Sequence, residues 1–145
     1  MIKDRATIYG YSDHDDRACA FYVKGKQVGS FYYTEHHAPN DKDNKNLYIY
    51  SVRIRPEHRG KGFGKKMMKE SIYYLKNRYP DIKKIYLETD INNVRAMKSY
   101  LYAGYKIDFL RSVLGRQLIR RKNSSDYIYM SYDFWYKEEV IKYGK

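Results

Sequence analysis

Apolar and polar positions alternate along Leu47-Tyr48-Ile49-Tyr50-Ser51-Val52-Arg53-Ile54 and stop at Arg55-Pro56, where a proline ends ladder hydrogen bonding. Period two over this run predicts a strand. From Gly64 the period changes. Met67, Met68, Ser71, Ile72, Leu75 and Tyr79 recur at three- and four-residue spacing opposite Lys65, Lys66, Lys69, Tyr73 and Lys76, which predicts an amphipathic helix closed by Pro80. Residues 84–89 read as the next strand. Two strands flanking such a helix predict a parallel β-α-β unit with a right-handed crossover.

The same reading extends outward from this unit. Residues 6–9 and 18–23 are β-prone, with the polar run Asp13-His14-Asp15-Asp16 between them, and Lys24-Gly25-Lys26 predicts a hairpin turn into 28–33. Residues 35–46 have the Pro, Asn and Asp content of a loop. Asn92 and Asn93 are natural N-caps for a second helix, with Val94, Met97 and Leu101 as one apolar stripe and Ala96, Tyr100 and Ala103 as another. Gly104 stands where a left-handed cap ends it. Strands are predicted at 105–109 and 127–134, with a basic loop around 116–122 between them.

Nothing repeats internally and no linker divides the chain. Its 145 residues therefore predict one domain, 1–145, large enough to bury about two-thirds of its unfolded surface. The single cysteine, Cys19, excludes an internal disulfide framework and a cysteine-based zinc site. The adjacent His36 and His37 have no third ligand at zincin-like spacing, so no metal is expected. Met1-Ile2-Lys3-Asp4-Arg5 leads into no apolar signal core, and no apolar run approaches the roughly 18 residues of a membrane span. These features predict a soluble, cytoplasmic protein, monomer or homodimer.

The net charge of +12 gains meaning from its location. Residues 1–50 carry seven basic and seven acidic side chains, whereas 53–84 carry eleven basic and three acidic. The excess brackets Arg59-Gly60-Lys61-Gly62-Phe63-Gly64-Lys65, the stretch between the strand and its helix. Glycines at alternate positions favour positive φ and keep β-carbons away from whatever approaches the amides. A helix N-terminus directs those amides and its dipole at one place, which predicts a phosphate site. The stretch lacks the third glycine of the dinucleotide fingerprint, where Lys65 stands, and the chain lacks the Walker A spacing. A polyanionic cofactor and a nucleic acid both suit such a patch, and 19 tyrosines serve core edges or base stacking equally well.

The arrangement R-x-x-G-x-G, read at Arg59, Gly62 and Gly64, resembles the diphosphate-binding loop of the GNAT superfamily of acetyl-CoA-dependent N-acyltransferases. Asn93, Ala96, Tyr100, Gly104 and Tyr105 resemble a second signature of that superfamily, about 30 residues on. Both stand in the expected order, and the resemblance covers roughly 47–109. It implies an α/β (α+β) fold with a mixed, mostly antiparallel sheet of six or seven strands flanked by helices, splayed at its centre to admit acetyl-CoA.

The resemblance also implies roles. The backbone of Val52, Arg53 and Ile54 would hold the pantetheine arm, and residues 60–65 with Arg59 the diphosphate. Asn93 would contact the cofactor arm, and Tyr100 would protonate the departing thiolate. Glu88, at the end of a strand and twelve residues before Tyr100, has a spacing similar to the Glu and Tyr pair of ribosomal-protein-type N-terminal acetyltransferases, which makes it the candidate base. The expected reaction is direct transfer of acetyl to a primary amine of a small molecule or protein, through a tetrahedral intermediate. A nucleic-acid-binding or nucleic-acid-modifying protein is the alternative, and a silent regulatory domain a third reading that Tyr100 disfavours.

Overall fold

In a computed structural model of the chain, the described residues are 6–13, 16–35, 46–108 and 127–134. They form seven strands and two helices: β1 (Ala6–Asp13), β2 (Asp16–Val23), β3 (Lys26–Glu35), β4 (Asn46–Ile54), α1 (Phe63–Arg78), β5 (Lys84–Asp90), α2 (Val94–Ala103), β6 (Lys106–Ile107) and β7 (Tyr127–Asp133). The sheet runs β1-β2-β3-β4-β5-β7-β6. Its pairs are antiparallel except β4 with β5, the parallel pair of the β4-α1-β5 unit. The fold class is the one expected. Because β7 lies between β5 and β6, residues 127–133 are integral to the sheet.

Local chemistry accounts for the turns. Lys24 and Gly25 both have positive φ, 53° and 79°, the backbone of a two-residue hairpin that matches strand twist. Gly104 has φ 110° and ends α2 by donating to Leu101 and Tyr100 carbonyls. Lys76 Nζ donates to the Pro80 carbonyl at 2.8 Å, closing the end of α1.

The core lies between the sheet and the helices. Met67, Met68, Ile72 and Leu75 of α1 are buried in one cluster with Leu47, Ile49, Ile85 and Leu87 of the parallel strands. Each such side chain contributes about 1.5–3 kcal/mol of transfer free energy. The one polar member of the stripe, Ser71, is buried with its hydroxyl donating to Met68 O at 2.6 Å.

Three expectations are corrected. The alternation along β4 is not one period: Leu47 and Ile49 face the helices, and so do Val52 and Ile54, so the phase slips at Ser51. Ser51 has φ 52°, and the β3–β4 register shifts there, from Ser30↔Arg53 to Tyr32↔Tyr50. This is a β-bulge, one extra residue in β4. On α2, Val94 and Leu101 are 55% and 48% exposed, because a ten-residue helix docked on α1 covers one stripe, that of Ala96, Met97, Tyr100 and Ala103. β6 is two residues long, while Tyr105, expected within it, is a buried anchor before it.

The loop 35–46 with His36 and His37, apart from its ends, and the basic loop at 116–122 lie outside the described residues. No helix among the described residues is long and apolar enough to cross a membrane.

Candidate functional site

The site begins where two strands part. Rungs between β4 and β5 run from Asn46↔Lys84 to Ile49↔Leu87, and none follows. Beyond Ile49 the bulge turns β4 toward β3, which pairs with it through Arg53 and Ile54. The β5-facing edge of 50–54 therefore keeps its peptide groups out of the ladder.

A 3₁₀ turn at Pro56–His58 carries the chain from β4 to the glycine stretch. Arg59 Nε donates to Ile54 O at 2.9 Å, fixing the guanidinium against the strand end. Gly60 and Gly62 have φ 78° and 82°, a conformation costly to residues with a β-carbon, and a β-carbon built on either meets no protein atom within 4 Å. Their bareness serves backbone shape and open space, not packing. Gly64 differs from the expectation of a third positive-φ glycine. It lies in the first turn of α1, and a β-carbon there would stand 3.5 Å from Ser99 Oγ, so it marks where α1 approaches α2.

Gly62 is the N-cap of α1 and has no side chain to offer the first turn. The Lys66 amide donates to Gly62 O at 3.3 Å, which leaves Phe63, Gly64 and Lys65 as first-turn donors without intrahelical acceptors. No acid occupies that turn. α2 starts differently: Asn93 Oδ1 accepts from the Ala96 amide at 3.2 Å. Asn93 is thus a structural cap as well as a cleft residue.

Between these elements lies a cleft of about 680 Å³. Of the residues singled out in sequence, Val52, Arg53, Ile54, Arg59, Gly60, Gly62, Phe63, Gly64, Lys65, Asn93 and Tyr100 line it. Lys61 and Glu88 are exposed and lie outside that lining. Glu88 sits on the other face of the sheet, one residue past the last β4–β5 rung. His58, Met68, Arg95, Ala96, Lys98 and Ser99 join the lining unforeseen. Arg95, Lys98 and Ser99 carried a signal, since helical spacing puts them within a turn of Asn93 or Tyr100.

Charge in the cleft has one sign. Among the described residues, Arg53, Arg59, Lys65, Arg95 and Lys98 line it, and no carboxylate does. Lys65 Nζ stands 5.4 Å from the Tyr102 ring centroid, a cation–π contact that draws the ammonium toward α2. At the inner end, Tyr100 is buried, and burial pushes its phenol up to about 12. It therefore stays protonated through the neutral range. The Cys19 thiol, buried beneath the helices, is likewise pushed up to about 12 by burial, against a lowering hydrogen bond from Tyr74.

Known proteins share both sequence and fold with this chain. Two curated relatives, a probable spermine N(1)-acetyltransferase of Bacillus subtilis subsp. natto strain BEST195 and a spermine/spermidine N(1)-acetyltransferase of Bacillus subtilis strain 168, are each 39% identical over 70 residues, 47% of this chain and 45% of theirs. The chain thus covers less than half the length of these relatives. A Bacillus subtilis acetyltransferase crystallised with CoA superposes with a TM-score of 0.64 at 13% identity, over 91% of this chain and 99% of that one. The aminoglycoside acetyltransferase AAC(6')-Ib in complex with coenzyme A and kanamycin gives 0.62 at 17% identity, over 88% and 72%. Campylobacter jejuni N-acetyltransferase PseH gives 0.59 at 14%, over 84% and 70%. At such identities these likenesses concern the fold. The sequence model of the acetyltransferase (GNAT) family matches residues 2–105, through both the glycine stretch and the Asn93-to-Tyr105 signature, and so the chain belongs to that family.

Proposed function

We propose that the chain is an acetyl-CoA-dependent N-acetyltransferase, one domain over 1–145, that acetylates a primary amine of a small molecule or a protein. The observation that carries this is the cleft lined, among the described residues, by five cations and no carboxylate, and closed by α1 first-turn amides, at the point where β4 and β5 part. CoA fits it: a diphosphate needs bare backbone and donors, which Gly60, Gly62 and the first turn supply, and its further phosphate needs cations such as Arg95 and Lys98. The pantetheine arm carries amides, which the β5-facing edge of Val52 to Ile54 can pair. The names of the two Bacillus relatives, which speak of spermine and spermidine, support an amine as acceptor.

Acetyl-CoA supplies an activated acetyl thioester when bound. The cations and first-turn amides hold its phosphates, and the β4 edge orients the arm. Tyr100, neutral at working pH, donates a hydrogen bond to the leaving sulfur. A phenol held near 12 is a weaker acid than an ordinary thiol near 8.5, so its main service is to stabilise thiolate. Glu88, past the last rung on the far face, takes the amine proton directly or through water. Cys19 supports direct transfer over an acetyl-cysteine route, because a thiol held near 12 under the core is neither ionised nor reachable.

Thermal unfolding with added acetyl-CoA tests the reading, since a ligand of the folded state raises the melting temperature. A rise at micromolar acetyl-CoA with amine-dependent thiol release is expected. No rise, with tight nucleic-acid binding at physiological salt, would reject it.

A further inference from the structure

The described sheet ends in two edge strands, β1 and β6. β6 is two residues long, too short to template another strand. β1 is eight residues long and pairs with β2 at every one of them without a shift, whereas the β2–β3 and β3–β4 ladders each shift once. A bulge, a lysine or a proline commonly blunts such an edge. Ala6-Thr7-Ile8-Tyr9-Gly10-Tyr11-Ser12-Asp13 contains none of the three, and its one charge stands at the end. In a chain that is 32% charged, with a net +12, this neutral line is where two copies meet with least repulsion.

Alternation along the strands decides which peptide groups face outward. Lys24 and Gly25 form a two-residue hairpin, whose flanking pair Val23↔Lys26 bonds between β2 and β3. The Tyr22 peptide groups then point the other way, to Thr7 of β1. The N–H and C=O of Ala6, Ile8, Gly10 and Ser12 therefore point away from β2, and no other strand among the described residues pairs with them. Beside this edge α1 leaves a groove of about 600 Å³, walled by Thr7 and Ile8 and by Glu70, Tyr73, Tyr74 and Asn77. Tyr73 is 63% exposed there. The Tyr74 phenol lies over Gly10 and leaves no room for a β-carbon, so helix and edge strand are locked together and the edge is ordered in advance.

We propose that β1 pairs with β1 of a second copy, antiparallel about a two-fold axis at Tyr9, with Ile8 opposite the partner's Gly10 and Ala6 opposite the partner's Ser12. This register engages all four outward-facing residues on both copies, which no other antiparallel self-pairing of 6–13 does. The axis puts both helix layers on one face of a continuous sheet, with the two grooves side by side and Tyr73 of each copy turned toward its partner. The strand left at either outer end is the two-residue β6, so the assembly closes at two.

Sedimentation velocity of the full chain should show a monomer–dimer equilibrium that tightens as salt rises, because salt screens the repulsion between two cationic copies. Ile8→Pro removes an outward N–H and spares the bonds to β2, a placement that an edge strand tolerates. It should weaken the dimer roughly 5- to 150-fold, since the axis removes two ladder bonds at once. Ser12→Pro removes an outward N–H nearer the other end, and decides the matter if Ile8→Pro, at a residue packed on the core, disturbs the circular dichroism spectrum. In hydrogen exchange the Ile8 and Gly10 amides should be protected only at dimer concentrations, and the Thr7 amide at all of them. A chain that stays monomeric to millimolar concentration, or a dimer indifferent to both proline variants, overturns the proposal. So does equal protection of Ile8 and Gly10 in the dilute monomer, which would mean that another part of the same chain covers the edge.

Discussion

Replacing Tyr100 by phenylalanine separates binding from chemistry. The ring is buried and lies 6.2 Å from that of Tyr105, so Tyr100→Phe keeps the apolar contacts of α2 and removes one hydroxyl. With the phenol near 12, the loss is a hydrogen bond to a charged sulfur and not a full proton transfer. Such bonds contribute about 1.5–3 kcal/mol, which converts to a turnover roughly 10- to 150-fold slower. The bond forms as charge develops on sulfur, so acetyl-CoA affinity and melting temperature should hardly move. The assay is thiol release followed with a disulfide dye at saturating acetyl-CoA, using the fastest amine of a screened panel, with Kd measured separately. The unaltered enzyme should show no alkaline limb from Tyr100 below about pH 11. Undiminished turnover in Tyr100→Phe at normal affinity would refute the reasoning and make the residue a packing element.

Three further outcomes are expected. Gly62→Val should abolish acetyl-CoA binding while leaving the circular dichroism spectrum near normal, because φ 82° costs a β-carbon residue about 1–2 kcal/mol and the side chain enters open cleft; unchanged affinity in a thermal-shift titration would count against the phosphate assignment. Gly29→Ala should destabilise by about 1–3 kcal/mol in urea unfolding, since a β-carbon there would sit 2.7 Å from Ile54 Cδ1 and 2.8 Å from Arg53 O. Stability should also fall as pH rises from about 9 to 12: the unfolded chain releases the Cys19 and Tyr100 protons near 9.0 and 10.0, the folded one holds both to about 12, and the state binding more protons loses ground as pH rises; equal urea midpoints at pH 8 and 10.5 would contradict this.

The β4-α1-β5 unit was readable because its signals are local. Met67 to Leu75 repeat at helical spacing, Pro56 and Pro80 end elements, and Gly104 caps one, each by chemistry contained in a few residues. The cleft lining was readable along Arg59 to Lys65, Lys61 apart, for the same reason. What escaped depends on distant partners. Whether Val94 and Leu101 are covered depends on how α2 docks on α1, and Glu88's position on the far face follows from the β4–β5 register. The slip at Ser51 lies between these cases. The apolar positions change from odd to even numbers within β4, a visible mark, but read as one alternation it passes for an unbroken strand.

That slip also bears on the rate of association. Ser51 holds its positive φ within the chain's own fold, so β4 leaves β5 without any ligand to pry them apart. The exposed edge is preorganised, and on the proposed function an incoming pantetheine arm would pair with peptide groups whose release from the ladder was already met in folding. CoA capture should therefore be one bimolecular step, linear in concentration, with no slow isomerisation behind it. Deleting Ser51 would remove the bulge yet keep Val52 and Ile54 on the helix-facing side in one unbroken alternation, so the opening, and not the core, depends on the inserted residue.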